Sequence, residues 1–165
     1  MKHICILGGS SLLALNGAMA LRPSCRVTLV CHNKLVHLRH ITTVKCKFNS
    51  QQEITDCLSS IVPDYVLNCI AITDVDLCEK SPIEAYHVNT KIAMAIAASC
   101  SNLNIPLIQI STDQLFNGEI QLSSEESQVG PLNVYAKTKC LAEMFVLERN
   151  SSTLVARTNF FCWGT

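Results

Sequence analysis

Apolar runs and helix-period segments alternate along this chain, and that alternation constrains the fold more than any other feature. The runs "KHICIL", "CRVTLVC", "DYVLNCI", "IPLIQIS" and "STLVART" are short and nearly continuous in hydrophobicity, with a weaker one around "TTVKCKF". Between them lie segments of helical spacing. "SLLALNGAMAL" ends at Arg22-Pro23; Glu53, Ile54, Cys57, Leu58, Ile61 and Val62 recur until Pro63; Ser81-Pro82 starts a long helix through Ala98; another runs from Val134 to Glu148. "SSEESQVGPLN" reads as a polar loop. Apolar strands separated by helices predict a parallel sheet covered on both faces: a doubly wound α/β fold of about six strands. At 165 residues, with no linker and no internal repeat, one domain is expected.

In such a fold a ligand sits at the carboxyl ends of the strands, beside the point where strand order reverses. "GGSSLLA", Gly8 to Ala14, falls at the first strand-to-helix turn. A Gly-x-x-Gly-x-x-Gly turn presents backbone N–H groups to a pyrophosphate at a helix N-terminus. Here those positions read Gly8, Ser11 and Ala14. Gly8 can make the tight turn. Ser11 adds a side chain where backbone would approach phosphate, although its hydroxyl can donate a hydrogen bond. Ala14 adds one methyl where helix packs on strand. The same stretch also reads as a signal peptide: Lys2 and His3 precede an uncharged run from Ile4 to Leu21, and "AMA" ends at Ala20. Gly8, Gly9, Ser10, Ser11, Asn16 and Gly17 interrupt that run, as they would a membrane span. The downstream pattern needs this segment as its first strand and helix. A cytoplasmic protein that keeps Met1 or Lys2 is therefore expected, with no membrane partner.

Apolar residues make up 48% of the chain and charged residues 16%, which is the balance of a folded domain. Net charge is zero and no block of Lys or Arg stands out, which argues against nucleic acid as a partner. The ten cysteines are scattered, form no Cys-x-x-Cys pair and lie at no zinc-finger spacing from a His, so no metal site is expected. They read as small core hydrophobes in a reducing compartment.

Three short motifs carry possible chemistry. In "YAKTK", Tyr135 and Lys139 stand four apart on one helical face. A Lys cation beside a phenol lowers the phenol pKa, so that Tyr135 can exchange a proton with a carbonyl or hydroxyl oxygen while hydride moves. The same spacing suits an ordinary surface pair. In "ISTDQLF", Ser111 or Thr112 reaches the carboxyl edge of the fifth strand, able to bind a substrate oxygen or simply to cap a turn. In "AYHVNT", Asn89 lies on the helix facing the sheet, as a site residue or a hydrogen-bonded core amide.

Together and in this order, "PDYVLNCIAITDVDLCEKSPIEAYHVNT", "IPLIQISTDQLFNG", "PLNVYAKTK" and "VARTNFFCWGT" resemble the extended short-chain dehydrogenase/reductases, and among them the dTDP-4-dehydrorhamnose reductases and related sugar-nucleotide reductases. The resemblance runs over residues 1–165 and is strongest after residue 63. It implies a Rossmann-like NAD(P)-binding domain. It implies Thr112, Tyr135 and Lys139 as the catalytic Thr, Tyr and Lys: Tyr135 as general acid, Lys139 tuning it and holding the nicotinamide ribose, Thr112 orienting the substrate oxygen. Gly8, Ser11, Leu12 and Leu13 match the pyrophosphate turn, Ile70 and Ala71 match backbone lining the cofactor, and Asn89 matches an Asn near the site. A nucleotide-linked sugar is the implied substrate and a homodimer the implied assembly.

This chain departs from the pattern at Ser11 and Ala14, where Gly is usual, at Gln114, where Tyr is common, and at Cys162, where Gly is customary. "CHNK", Cys31 to Lys34, closes the second strand with no Asp or Glu for a ribose 2′-OH, so NADP is favoured over NAD. The resemblance implies a smaller substrate domain beyond the strand "STLVART", expected to be absent or truncated here, so poor turnover by this chain alone is expected. The alternative implied by the altered turn is a non-catalytic regulatory protein on the same fold, similar to the β subunit of methionine adenosyltransferase.

Overall fold

The computed structural model describes residues 1–119 and 122–159. Cys162, and with it the end of "VARTNFFCWGT", lies outside the described residues. Six strands form one parallel sheet: β1 (His3–Leu7), β2 (Arg26–Cys31), β3 (Thr42–Lys45), β4 (Tyr65–Asn68), β5 (Leu107–Thr112) and β6 (Thr153–Thr158). Their order across the sheet is β3-β2-β1-β4-β5-β6. The chain starts in the middle, winds outward to one edge, then returns and winds to the other. This is the doubly wound arrangement expected from the alternation, and its strand order reverses between β1 and β4.

Strand alternation divides the core between two faces. Cys5, Leu7, Val30, Val66 and Leu107 pack on one side with residues of α2 (Gln51–Ile61), α5 (Ile92–Asn102) and α6 (Val134–Arg149), and this is the larger core. Ile6, Val27 and Leu29 point to the other side, where α1 (Leu12–Leu21) lays Ala14 and Ala18 on them. Both alanines are wholly buried, so the methyl that Ala14 adds is accommodated as close helix-to-sheet packing. Full burial of a side chain such as Leu29 or Leu58 contributes about 1.5–3 kcal/mol.

Helix ends follow local chemistry. Ser11, Ser50 and Asn133 cap α1, α2 and α6 by accepting from the amides of Ala14, Glu53 and Ala136. Helix α2 stops at Val62, in the left-handed region at φ 51°, just before Pro63.

Two differences from the sequence reading stand out. A short helix α3 (Val75–Lys80), capped by Asp74, occupies a segment read without an element. The long helix from Ser81 is three pieces: α4 (Pro82–Tyr86), a π-helical turn (His87–Lys91) and α5. The π turn buries Asn89 and Thr90, which face α6 rather than the sheet: Asn89 Nδ2 donates to Thr138 Oγ1 at 3.0 Å, and Thr90 Oγ1 donates to the Thr138 carbonyl at 2.8 Å. The nine described cysteines are free thiols. Five are buried and four partly so, consistent with their reading as small core residues. Among the described residues no helix is long and apolar enough to cross a membrane, and no group of three or more His, Cys, Asp or Glu could hold a metal.

Candidate active site

A cleft of about 350 Å³ opens where strand order reverses, at the carboxyl ends of β1, β4 and β5. Its walls bring together Ser11, Leu12 and Leu13 from the first turn, Ile70 and Ala71 from the segment after β4, Thr112 from the end of β5, and Tyr135 and Lys139 from α6. Cys69, Ser111, Gln114 and Asn159 complete much of the lining.

The first wall is the β1–α1 turn. Gly8 has φ +78°, and a Cβ there would stand 3.1 Å from the carbonyl carbon and oxygen of Cys69 and from the amide of Ile70. The glycine is therefore required by the crossing of two backbones, and it lies behind the cleft wall. Ser11 has an ordinary φ of −76°, so its backbone does not need glycine. Its hydroxyl accepts from Ala14 N at 3.3 Å. The side chain that was expected to meet a phosphate thus caps its own helix. The amides of Leu12 and Leu13, first in α1, have no carbonyl one turn back within the helix and border the cleft. A helix start of this kind favours an anion.

The second wall is held by buried amides. Asn68 Nδ2 donates to Gln109 Oε1 at 2.8 Å, linking β4 to β5, and Asn68 Oδ1 accepts from Ile70 N at 3.0 Å. Asn89 accepts from Ile72 N at 2.7 Å and donates to the Ile72 carbonyl at 3.1 Å as well as to Thr138. Its carboxamide is fully engaged within the fold, and it does not line the cleft. Asn89 was expected among the cofactor-binding residues; its position is instead that of a strut between the post-β4 segment and α6.

The third wall carries the titratable groups. Tyr135 and Lys139 lie one turn apart on α6, both largely buried. Burial pushes the Tyr135 phenol above its usual range, and the nearby Thr112 hydroxyl works the other way. Burial lowers Lys139 to about 8, with Glu143 opposing. Lys139 Nζ donates to the Ile110 carbonyl at 2.6 Å. The lowering of Tyr135 by Lys139 expected from their spacing is not what sets the phenol: the ammonium is turned to the end of β5, and desolvation dominates. Near neutral pH the phenol keeps its proton and can donate it to an oxygen in the cleft. Thr112 Oγ1 accepts from Gln114 N at 3.2 Å, and Gln114 Oε1 accepts from Asn133, the cap of α6, at 3.3 Å. Lys34 is exposed in the loop after β2 and does not line the cleft.

The sequence leaves Ser111 and Thr112 as alternatives for one role. The period of two in a strand separates them: Ser111 shares the face of Leu107 and Gln109, and Thr112 the opposite one. That signal was present in "LIQIST". Nothing in the sequence marked Cys69 or Asn159 as cleft residues.

Known proteins share this architecture and part of the sequence. A dTDP-4-dehydrorhamnose reductase of Sinorhizobium fredii is 32% identical over 108 residues, which are 65% of this chain and 36% of that protein. A dTDP-4-dehydrorhamnose reductase of Bacillus anthracis, solved in complex with NADP, superposes with a TM-score of 0.80 at 23% identity, covering 94% of this chain and 52% of the other. A UDP-glucose 4-epimerase of Brucella ovis, solved with NAD, superposes with a TM-score of 0.86 at 17% identity, covering 95% and 51%. The last two are likenesses of fold. The chain spans between about a third and about half of the length of these proteins. The family model described as the RmlD substrate binding domain matches residues 1–162, nearly the whole sequence, and the chain belongs to that family.

Proposed function

We propose that residues 1–165 form the dinucleotide-binding, proton-donating half of a reductase that converts a keto group on a nucleotide-linked sugar to an alcohol. The observation that carries this reading is one cleft that gathers the helix-start amides of Leu12 and Leu13 at one end and Thr112, Tyr135 and Lys139 at the other. The donor set fits a nicotinamide dinucleotide: two amides for the pyrophosphate, Ile70 and Ala71 along its length, and a buried Lys139 with protons beyond the one given to Ile110. Relatives of the same fold hold NADP or NAD, and the lack of an Asp or Glu in "CHNK" after β2 favours NADP here. The cofactor, when bound, supplies the hydride.

The chain's own residues supply the rest. Thr112 orients the keto oxygen beside Tyr135. The Tyr135 phenol, kept neutral by burial, gives its proton to that oxygen as negative charge develops on it. Lys139 holds the ribose and stabilises the phenolate left behind. Nζ can reach the ribose with a proton other than the one given to the Ile110 carbonyl.

A second reading, binding without turnover, is favoured by the Ser11 hydroxyl capping α1 where a glycine would leave the turn open. The two are separated by titrating NADPH and NADH against the protein by fluorescence, then supplying a 4-keto sugar nucleotide and following NADPH oxidation. Binding with oxidation supports the reductase. Binding without it, in a chain extended to the length of its relatives, supports the second reading. A folded protein that binds neither cofactor removes both.

A further inference from the structure

Ser111 is 2% exposed, and its Oγ is the buried side-chain oxygen left without a hydrogen-bond partner among the described residues. Its surroundings are otherwise satisfied. Asn68, Gln109, Asn89, Thr90 and Thr138 all have their polar atoms engaged. A buried hydroxyl with no partner is unfavourable, and folded proteins leave few of them. This one lines the cleft, on the strand that also receives Lys139 at Ile110.

We infer that Ser111 is a ligand-positioning residue whose hydroxyl accepts a hydrogen bond from a sugar hydroxyl bound beside Lys139. The chemistry of the pair selects that group. Lys139 can only donate, so the ligand group must accept. Ser111 can both accept and donate, and a ligand hydroxyl that accepts from Lys139 has its own proton left to give. A carbonyl has none. Two adjacent hydroxyls, as on a ribose, would satisfy both side chains at once. Thr112 lies on the other face of β5, so Ser111 holds a different part of the ligand from the oxygen assigned to Thr112.

This rests on the dinucleotide reading of the cleft, and the test separates the two. Ser111→Ala is compared with wild type in thermal melting without ligand, and in binding two probes: the tighter of NADPH and NADH, and the adenosine phosphate half of that cofactor, which lacks the second ribose. The expected result is an unchanged or slightly raised melting temperature. The whole cofactor should bind about 3- to 10-fold more weakly, and the adenosine half should be unaffected. Equal loss for both probes, or no loss for either, overturns the inference while leaving the dinucleotide reading in place. A clear fall in melting temperature also overturns it, since the hydroxyl would then serve the fold. Failure of the wild type to bind either probe removes the dinucleotide reading itself.

Discussion

The two ends of the cleft are built on opposite terms. At the β1–α1 turn the protein satisfies itself: Gly8 is fixed by the backbone at Cys69 and Ile70, and the Ser11 hydroxyl is taken by Ala14 N. At the β5–α6 wall it leaves groups under tension. Ser111 has no partner among the described residues, Lys139 is buried with its pKa drawn down, and the Tyr135 phenol is pushed up. Substitutions at the first end should register as stability, and at the second as ligand binding and chemistry. Groups that burial disfavours in the free protein are those a ligand can relieve.

The sharpest test of that contrast is Tyr135→Phe. In a form of the protein that reduces a keto sugar nucleotide, it should lower the rate by about 10²- to 10⁴-fold, with cofactor affinity and melting temperature nearly unchanged. Residual activity close to wild type would show that another group donates the proton. Gly8→Ala is the converse. It forces a Cβ into a left-handed backbone and against the backbone of Cys69 and Ile70. A loss of about 2–4 kcal/mol is expected in urea unfolding, whether or not ligand is present. A variant as stable as wild type would mean that the turn is looser than described.

A pH series sharpens the comparison further. The folded-state pKa of Lys139, about 8, lies below the ordinary value of 10.5. Between those values the unfolded chain binds more protons, so this group makes stability rise as pH rises from about 8. The raised thiols act oppositely: Cys57, Cys69 and Cys100 are pushed up to about 12 and Cys5 further still, so from about pH 8 the unfolded chain ionises first and stability falls. Between pH 8 and 9 the Lys139 contribution rises by about 1 kcal/mol while these four thiols together lose about as much or more, so Lys139→Met should steepen the fall in stability over that range. An unchanged profile in Lys139→Met would assign the titration elsewhere. The smallest effect is expected from Ser11→Gly. It removes a cap at a cost of a few tenths of a kcal/mol and opens the turn, so dinucleotide binding should tighten a few-fold, read by the same fluorescence titration. Weaker binding would mean that the Ser11 hydroxyl serves the ligand after all.

Strand and helix positions were readable because each rests on local signals. The apolar runs gave all six strands to within a few residues, and Pro63 and Pro82 marked helix boundaries where they stand. The parallel, doubly wound sheet followed from the alternation, because parallel strands need crossovers, whereas the order β3-β2-β1-β4-β5-β6 is seen only in the fold. What could not be read depends on contacts distant in sequence. The Tyr135–Lys139 spacing located both residues in one wall, but where Lys139 Nζ points is decided by the Ile110 carbonyl, 29 residues away. Ser11 in a glycine-like position suggested a phosphate contact, yet "SLLA" is equally a serine cap followed by helix, and that local bond is the one formed. Asn89 was found as a notable residue, but its partners Ile72 and Thr138 come from two other segments. The π turn that aims it has no propensity signature in "HVNTK".

That turn sets how the gene can tolerate lost codons. A π turn holds one residue more than the α-helical rise would use. Deleting a single residue within His87–Lys91 would let α4 and α5 fuse into a regular helix, so the change looks harmless on helix propensity alone. Because the lost residue is the extra one, the segments on either side would keep nearly their present phase. Cys78 and Ala85, which pack with Tyr135 from α3 and α4, would stay in phase, while Asn89, aimed by the π turn itself, could no longer bridge Ile72 to Thr138. A one-codon deletion inside a continuous helical rod would thus cut the segment after β4 loose from α6 while leaving helix content intact.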